Sequence, residues 1–537
     1  MPATVVTPTT PPAPTPVTSA QVIKHVVVIF DENVSFDHYF GTYPNAANLS
    51  TDAVKFTAAT GTPTNISNYV TSPELLTANP NLDVANLPGA TNPFRLDSGQ
   101  AFTADQDHSY GPEQLAFNDG KMNLFPMSVG TSDGLIAQAT GAPAIADTAG
   151  LTMGYFDGNT VTAMWNYAQN YALNDHSFGS TFGASTQGAI NLISGQTNGT
   201  VPSAGAAGDV IADGHGGLTL ISDADPTGDV CSSSSTVAMT NGGKNIGDLL
   251  NSAGVTWGWF QGGFNLSIMN SNGTTGCGRT TTSAVTGVTE SDYIQHHAPF
   301  QYYPSTQNLM HNRPASVAAI GTAADTGTGA NQANHQYDTT DFTAALAAGN
   351  LPAVSFLKAP GYQDGHAGYS DPLDEQTFVV NMVNAIQQSS FWSSTAIIIA
   401  YDDSDGWYDH LTDIVNGSAS TADAAICSGV SGGATLAGPM SNGMPVQGRC
   451  GHGPRLPLLV ISPWANKNFI DNTPTDQSSI IHFIEDTFLS GQRIGTGSFD
   501  AGSGSLDNMF NFSNNVAPNA TPVILNPATG AVMTTTN

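Results

Sequence analysis

The chain has 537 residues, a formal net charge of −30, and only 12 Lys or Arg against 42 Asp or Glu. Charged residues make up 10% of it, where an ordinary soluble domain carries about 25%. So few cations exclude a basic nucleic-acid face and a polybasic membrane-binding face, and no apolar run approaches the roughly 18 residues needed to cross a bilayer.

Residues 1–20 hold six Pro, six Thr and no Lys or Arg. A secretory signal starts basic and continues apolar, so residues 1–21 read instead as a Pro/Thr-rich disordered leader, the start of a mature chain behind a new initiator Met. Abundant Thr, Ser, Asn and Gly with little charge points to a secreted or periplasmic protein. In acid, protonation of carboxylates would relieve the self-repulsion that −30 implies.

Order is expected from Val22. Residues 24–30 form a short β-branched run of the buried parallel type, and similar runs lie at 351–357, 395–401 and 457–462. Helical spacing alternates with them. One helix opens at Asp371-Pro372, with proline at its first position, and carries Phe378, Val379, Met382, Val383 and Ile386. Another opens near Thr475, carries Ile480, Ile481, Ile484 and Phe488, and ends at Gly491. This alternation predicts a doubly wound α/β sheet in a single domain over 22–510. Gly/Ser/Thr-rich stretches near 200–290 and 412–453 read as long irregular insertions, and 511–537 as an uncharged tail. The four cysteines, Cys231, Cys277, Cys427 and Cys450, form no C-x-x-C pair and allow three connectivities. Sequential closure, Cys231–Cys277 and Cys427–Cys450, is the expectation, because each pair brackets one Gly/Ser-rich stretch; disulfides suit an oxidising compartment.

Open α/β sheets put ligands beyond the carboxyl ends of their strands. The first strand runs into Asp31-Glu32-Asn33-Val34-Ser35-Phe36-Asp37-His38. The third runs into Asp402-Asp403-Ser404-Asp405-Gly406-Trp407-Tyr408-Asp409-His410. Carboxylates gathered this way repel and are costly to bury, and a bound cation is the usual remedy. Between them, Ser180-Thr181-Phe182-Gly183-Ala184-Ser185 sets a hydroxyl after a glycine turn at a helix start, where free amides favour anions. Other signals are weaker. Asp402, Asp405 and Asp409 have calcium-loop spacing without a glutamate at position 12. Gly429-Val430-Ser431-Gly432-Gly433 matches a nucleophile elbow but sits in a loop, without the preceding strand. Asp409 and His410 are open between supporting the site and lying at the surface. Trp257, Trp259 and Phe260 read as core, or with Tyr302 and Tyr303 as a substrate wall; His25 and His482 read as structural.

The segment IKHVVVIFDENVSFDHYFGTYPNA resembles the opening of the bacterial phosphoesterase family that holds phospholipases C and AcpA-type acid phosphatases. DQDHSYGPEQLAFNDGKMNLF, MGYFDGNTVTAMWNYAQNYALNDHSFGSTFGASTQGAINLISG, TWGWFQGG, YIQHHAPFQYY, GYQDGHAGYSDPLDEQ and YDDSDGWYDHL follow in family order, so the resemblance covers about 22–490. Val34 stands where the phosphocholine-specific branch usually has Arg, which resembles the acid phosphatase branch. The resemblance implies a three-layer α/β/α sandwich like alkaline phosphatase. It implies one or more divalent or transition metal ions (Ca, Mg, Mn, Fe or Zn) held by Glu32, Asn33, Ser185, Asp402 and Asp403, with Asp403 shorter than the Glu of many relatives. It implies Ser185 as nucleophile through a phosphoserine, and His108, His297 and His366 around the phosphate, with His296 as the alternative to His297. The substrate is then a small phosphomonoester, or alternatively a phospholipid head group cleaved by phospholipase C action. No proposed ligand block contains an arginine, so protonated histidines would serve the phosphate, favouring acid pH. A non-catalytic surface binding protein on the same fold is the reading of another class.

Overall fold

A computed structural model describes residues 16–533 except 119, 131–143, 213–216, 242, 413–451, 496–497 and 514. Cys427, Cys450, Ser431 and most of the second predicted insertion lie outside the described residues. Eight strands form the central sheet. In chain order they are β1 (His25–Asp31), β2 (Ala172–Asn174), β3 (Trp257–Gln261), β4 (Gln336–Asp338), β5 (Val354–Lys358), β6 (Thr395–Tyr401), β7 (Leu458–Ile461) and β8 (Phe469–Asp471). Their spatial order is β4-β3-β5-β1-β6-β7-β2-β8. β7 runs antiparallel to both neighbours, and the other pairings are parallel. The four strands expected from β-branched runs are β1, β5, β6 and β7. An apolar run does not encode direction, and β7 is the reversed strand.

Alternate side chains along a strand go to opposite faces, and both faces are covered. On one, Trp257 of β3 lies against Phe300, with ring centroids 4.7 Å apart, and a Cβ on Gly247 of helix Ile246–Ala253 would come within 2.6 Å of that indole. Helices Ser185–Ser194 and Ser478–Phe488 pack on this side. On the other face Phe260 meets Phe342 of helix Thr339–Ala347, at 5.4 Å. Helix Pro372–Gln387 joins helix Thr162–Asn170 there through Gln376, which accepts the Ala163 amide at 3.1 Å. The result is the three-layer α/β/α sandwich. Trp257, Trp259, Phe260, Tyr302 and Tyr303 all belong to the core rather than to a substrate wall. His25 ties its strand to the Pro352 carbonyl at 2.9 Å, and His482 pairs with Asp486 one helical turn away at 3.2 Å.

Two stretches with weak sequence signals are structured. The range 200–290, read as one insertion, contains helix Ile246–Ala253 and the sheet strand β3. Trp-Gly-Trp-Phe-Gln lacks the β-branched run that marked the other central strands. The uncharged tail packs back on the domain: Leu525 is buried, and its carbonyl accepts from Asn384 of helix Pro372–Gln387 at 2.7 Å. Cys231 and Cys277 form a disulfide across 46 residues, as sequential pairing predicts; closing a loop of that size removes about 4 kcal/mol of unfolded-state entropy.

Gly188, on the first turns of helix Ser185–Ser194, lets that helix touch the end of β6. A Cβ there would lie 2.2 Å from the Asp402 carbonyl oxygen. Gly188→Ala is therefore expected to force the helix off the strand end and cost about 1–3 kcal/mol, read as a lower midpoint in urea or thermal unfolding. A midpoint equal to the parent's would show that this close approach does not matter.

Candidate active site

The register of the sheet assembles the site. Ile29 pairs with Leu357 and Asp31 with Tyr401, so the residues that follow, Glu32, Lys358 and Asp402, leave adjacent strand ends together. Glu32, Asn33, Asp402, Asp403 and Ser185 are all buried. Asn33 takes the left-handed conformation, φ +64°, which asparagine tolerates. This turns its amide N–H to Asp402 Oδ1 at 3.0 Å and its side-chain Nδ2 to Asp405 Oδ1 at 3.1 Å.

Ser185 is the first residue of its helix, with Ala184 as cap. Gly183 before it has φ +108°, a conformation glycine adopts without strain. The Ser185 Oγ lies 3.0 Å from Glu32 Oε2 and 3.2 Å from Asp403 Oδ2. A hydroxyl has one proton, and here that proton has two carboxylate acceptors. Asp223 holds the start of the same helix, accepting from the Thr186 amide and hydroxyl at 2.9 and 2.6 Å.

The carboxylates crowd one another. Burial, then the nearby Asp402, pushes the Glu32 carboxyl well above its ordinary range. Burial does the same to Asp403 and Asp364. Asp402 moves down: burial opposes its charge, but the Lys358 ammonium and three donated hydrogen bonds outweigh that cost. Lys358 ends β5, contacts Glu32 Oε1 directly, and stands 3.5 Å from Asp402 Oδ2.

The three predicted histidines surround this centre. His297 Nδ1 lies 3.2 Å from Glu32 Oε1 and 3.9 Å from Asp364 Oδ2, whereas His296 is partly exposed and stands 3.9 Å from Asp225. His108 Nδ1 lies 2.9 Å from the Gln106 carbonyl and 3.3 Å from Asp405 Oδ1, and its ring is 5.7 Å from that of His366. Burial works against the charged form of His108, but Asp403, Asp405 and Asp105 outweigh it and raise its pKa well above the ordinary value. Burial lowers His297 and His366. Of the three, only His108 is shifted toward its charged form.

The donor set fits a hard cation. Asn33 Oδ1 is buried with no hydrogen-bond partner, and the Glu32 and Asp402 carboxyls hydrogen-bond each other, so a proton or an ion must stand between them. Glu32, His297 and Asp364 offer ligand atoms within 4.8 Å of one another, as do Asp105, His108 and His366. Oxygen-rich shells suit Mg, Ca or Mn, and a histidine extends the choice to Fe or Zn.

Sequence reasoning missed Lys358, Asp364 and Glu113, and gave Asp405 only as part of the strand-end acid cluster with calcium-loop spacing. Glu113 is buried and accepts the Gly183 amide at 2.9 Å and the Ser404 hydroxyl at 2.7 Å. The signal for Lys358 was a lone lysine closing an apolar strand. Asp409 and His410 prove to be internal supports. Asp409 takes the Arg455 Nε at 3.0 Å, Arg455 Nη2 reaches Asp37 Oδ1 at 3.0 Å, and His410 Nδ1 lies 2.6 Å from Asp37 Oδ2. This clamp ties the two ligand loops together behind the site.

A serine at a helix start faces buried carboxylates at the ends of a largely parallel, helix-covered sheet, in a chain of the α/β/α class. Residues 23–489 match the Phosphoesterase family model, and the chain belongs to that family. Among curated proteins it is similar to phospholipase C A of Mycobacterium tuberculosis, 24% identical over 95% of this chain and 81% of that protein. It is also similar to the non-hemolytic phospholipases C of Burkholderia pseudomallei, 23% identical over 91% of this chain, and of Pseudomonas aeruginosa, 29% identical over 33% of it. The matches span 59% and 25% of the lengths of these last two. A solved protein of the alkaline phosphatase superfamily from Vibrio parahaemolyticus is similar at 13% identity over 61% of this chain and 60% of that chain, with a TM-score of 0.24.

The opposite face of the same strand ends carries a testable pH dependence. Glu375 accepts hydrogen bonds from Tyr39 at 2.6 Å and Tyr401 at 2.5 Å, and burial pushes its carboxyl from 4.5 up to about 7. The protonated form favours folding, so its contribution, about 3 kcal/mol at most, is complete below pH 4.5 and is lost as pH rises through 7. Glu375→Gln should flatten the fall of the unfolding midpoint between those limits. An unchanged slope would assign the fall to other groups.

Proposed function

We propose that the protein is a metal-dependent phosphoric ester hydrolase in which Ser185 is the nucleophile and a phosphoserine is the intermediate. The observation that carries this reading is the Ser185 Oγ, 3.0 and 3.2 Å from two buried carboxylates at the start of a helix. Glu32, Asn33, Asp402 and Asp403 would hold the ion beside Ser185. When bound, it supplies Lewis-acid stabilisation of phosphoryl charge and lowers the pKa of a neighbouring hydroxyl.

The chain's own groups do the rest. Ser185 Oγ gives its proton to Glu32 or Asp403 and attacks phosphorus, forming the Ser–O–P bond as the P–O bond to the alcohol breaks. His108, held as imidazolium, pairs with the phosphoryl oxygens or protonates the departing alkoxide. His297 and His366, held neutral, orient the phosphate through their N–H groups. Water then cleaves the Ser–O–P bond, releasing phosphate and restoring the serine. Lys358 holds Glu32 and Asp402 in place throughout.

Acid phosphatase action on phosphomonoesters is the first reading, supported by Val34 at the position where Arg marks the phosphocholine branch. The names of the curated relatives favour a second, phospholipase C cleavage of a phosphodiester head group. Export is part of the proposal: the Cys231–Cys277 disulfide supports an oxidising compartment, and among the described residues no helix is long and apolar enough to cross a membrane.

One assay separates these readings: p-nitrophenyl phosphate, a phosphorylcholine diester and a carboxyl ester, each with and without chelator. Ser185→Ala should lower kcat/KM on the phosphoric ester on the order of 10³-fold or more, and chelation should do likewise. Full activity in Ser185→Ala would end the proposal, and chelator-resistant carboxyl-ester cleavage lost in Ser431→Ala would replace it. The ratio of monoester to diester turnover assigns the substrate class.

A further inference from the structure

We propose that Glu113 is a positioning residue that holds the nucleophile loop and the second ligand loop in register with each other. The proposal rests on Ser185 being the nucleophile. Glu113 lies on helix Tyr110–Phe117 and accepts hydrogen bonds from Gly183 and Ser404 rather than from Ser185 or a proposed ligand. Its two carboxylate oxygens divide between two loops. Oε2 accepts the Gly183 amide at 2.9 Å, two residues before Ser185. Oε1 accepts the Ser404 hydroxyl at 2.7 Å, one residue after Asp403.

Gln477 links the same two segments further out, accepting the Ser180 amide at 3.0 Å and donating to the Asp402 carbonyl at 2.5 Å; Glu113 holds them at Gly183 and Ser404, nearer to Ser185 and Asp403. Gly183 is in a left-handed conformation, φ +108°, and a glycine so placed has wide freedom to move. The bond from its amide to Glu113 selects one of the backbone states open to it. The same helix supplies a second anchor: Phe117 meets Phe182 edge to face, with centroids 4.8 Å apart. A Cβ on Gly183 would approach the Cβ of Tyr110 to 3.5 Å, so the helix backs the loop directly. On the other side, Ser404 Oγ also receives the Gly406 amide at 3.2 Å, and Asp403 Oδ1 receives the Asp405 amide at 2.7 Å. Fixing Ser404 therefore fixes the turn that aims Asp403 at Ser185. His108 precedes the same helix by two residues. One short helix thus carries a phosphate-facing histidine and braces both the nucleophile and its carboxylate partner.

Glu113 is buried, and loss of its acceptors would leave two buried donors unpaired. Glutamine is the informative replacement. Its amide oxygen can accept from Gly183 while its NH₂ donates to the Ser404 oxygen, which keeps both links without a charge. Alanine and methionine break both, and methionine keeps the volume.

The test uses the full chain with its metal and p-nitrophenyl phosphate. Glu113→Met and Glu113→Ala should lower kcat at least about 50-fold with KM changed less than about 3-fold, because substrate still binds while Ser185 and Asp403 drift apart. Glu113→Gln should stay within about 5-fold of the parent. Ser404→Ala, which removes one link, should fall between them with the same split. Two results overturn the inference: kcat within about 3-fold of the parent in Glu113→Met, or Glu113→Gln as damaged as Glu113→Met. If the methionine and alanine variants fail to fold, Ser404→Ala decides: an unchanged kcat sinks the idea. Ser185→Ala is run alongside. If it stays active, the nucleophile assignment has failed; if it is inactive while the Glu113 and Ser404 variants are normal, only the positioning role has.

Discussion

The contact on which the site depends is the buried ammonium of Lys358 between Glu32 and Asp402. Asp31, Glu32, Asp364, Asp402, Asp403 and Asp405 are all buried near the ends of three neighbouring strands. Taking one carboxylate out of water already costs several kcal/mol unless it is paired. Lys358, with three donated hydrogen bonds, holds Asp402 down, while burial still pushes Glu32, Asp364 and Asp403 up. The remaining deficit is what a bound cation would meet. A chain with 12 cations among 537 residues has placed one of them at this point.

The sheet separates this problem into two halves. Strand alternation turns Glu32 and Asp402 toward the helix that carries Ser185, and turns Asp31 and Tyr401 toward helix Pro372–Gln387 and Glu375. Both oxygens of Asp31 lack hydrogen-bond partners, and burial raises its pKa well above the ordinary value. Burial therefore disfavours charged carboxylates on both faces of the same strand ends. Protonation of the far-face carboxyls favours the fold, in keeping with the acidic setting that the composition suggests.

Support for the loops at these strand ends comes from behind and beside them. Arg455, fully buried, grips Asp409 and Asp37, one from each ligand loop. Glu113 joins the nucleophile loop to the second of them. Gly188 brings the serine helix against the backbone of Asp402. These contacts leave Glu32 Oε2 and Asp403 Oδ2 facing Ser185 and Asn33 Oδ1 without a hydrogen-bond partner.

The sequence by itself determined the α/β class, the strands with β-branched runs, and the residues at two strand ends and one helix start. Each of these is written locally, in apolar spacing, in glycine before serine, or in acids following a strand. Short or aromatic strands such as Trp257–Gln261 carried no such local mark. Asp364 and Glu113 were equally silent, and Lys358 showed only as a lone lysine closing an apolar strand, because nothing next to them in the chain announces a partner. Their meaning lies in contacts between distant segments: Ser185 meets Glu32 and Asp403 across 153 and 218 residues. Only the tertiary structure decided which of the chain's acids share one buried space, which histidine is shifted toward its charged form there, and that Lys358 stands among them, since burial and Coulomb energies depend on distance in space and not along the chain.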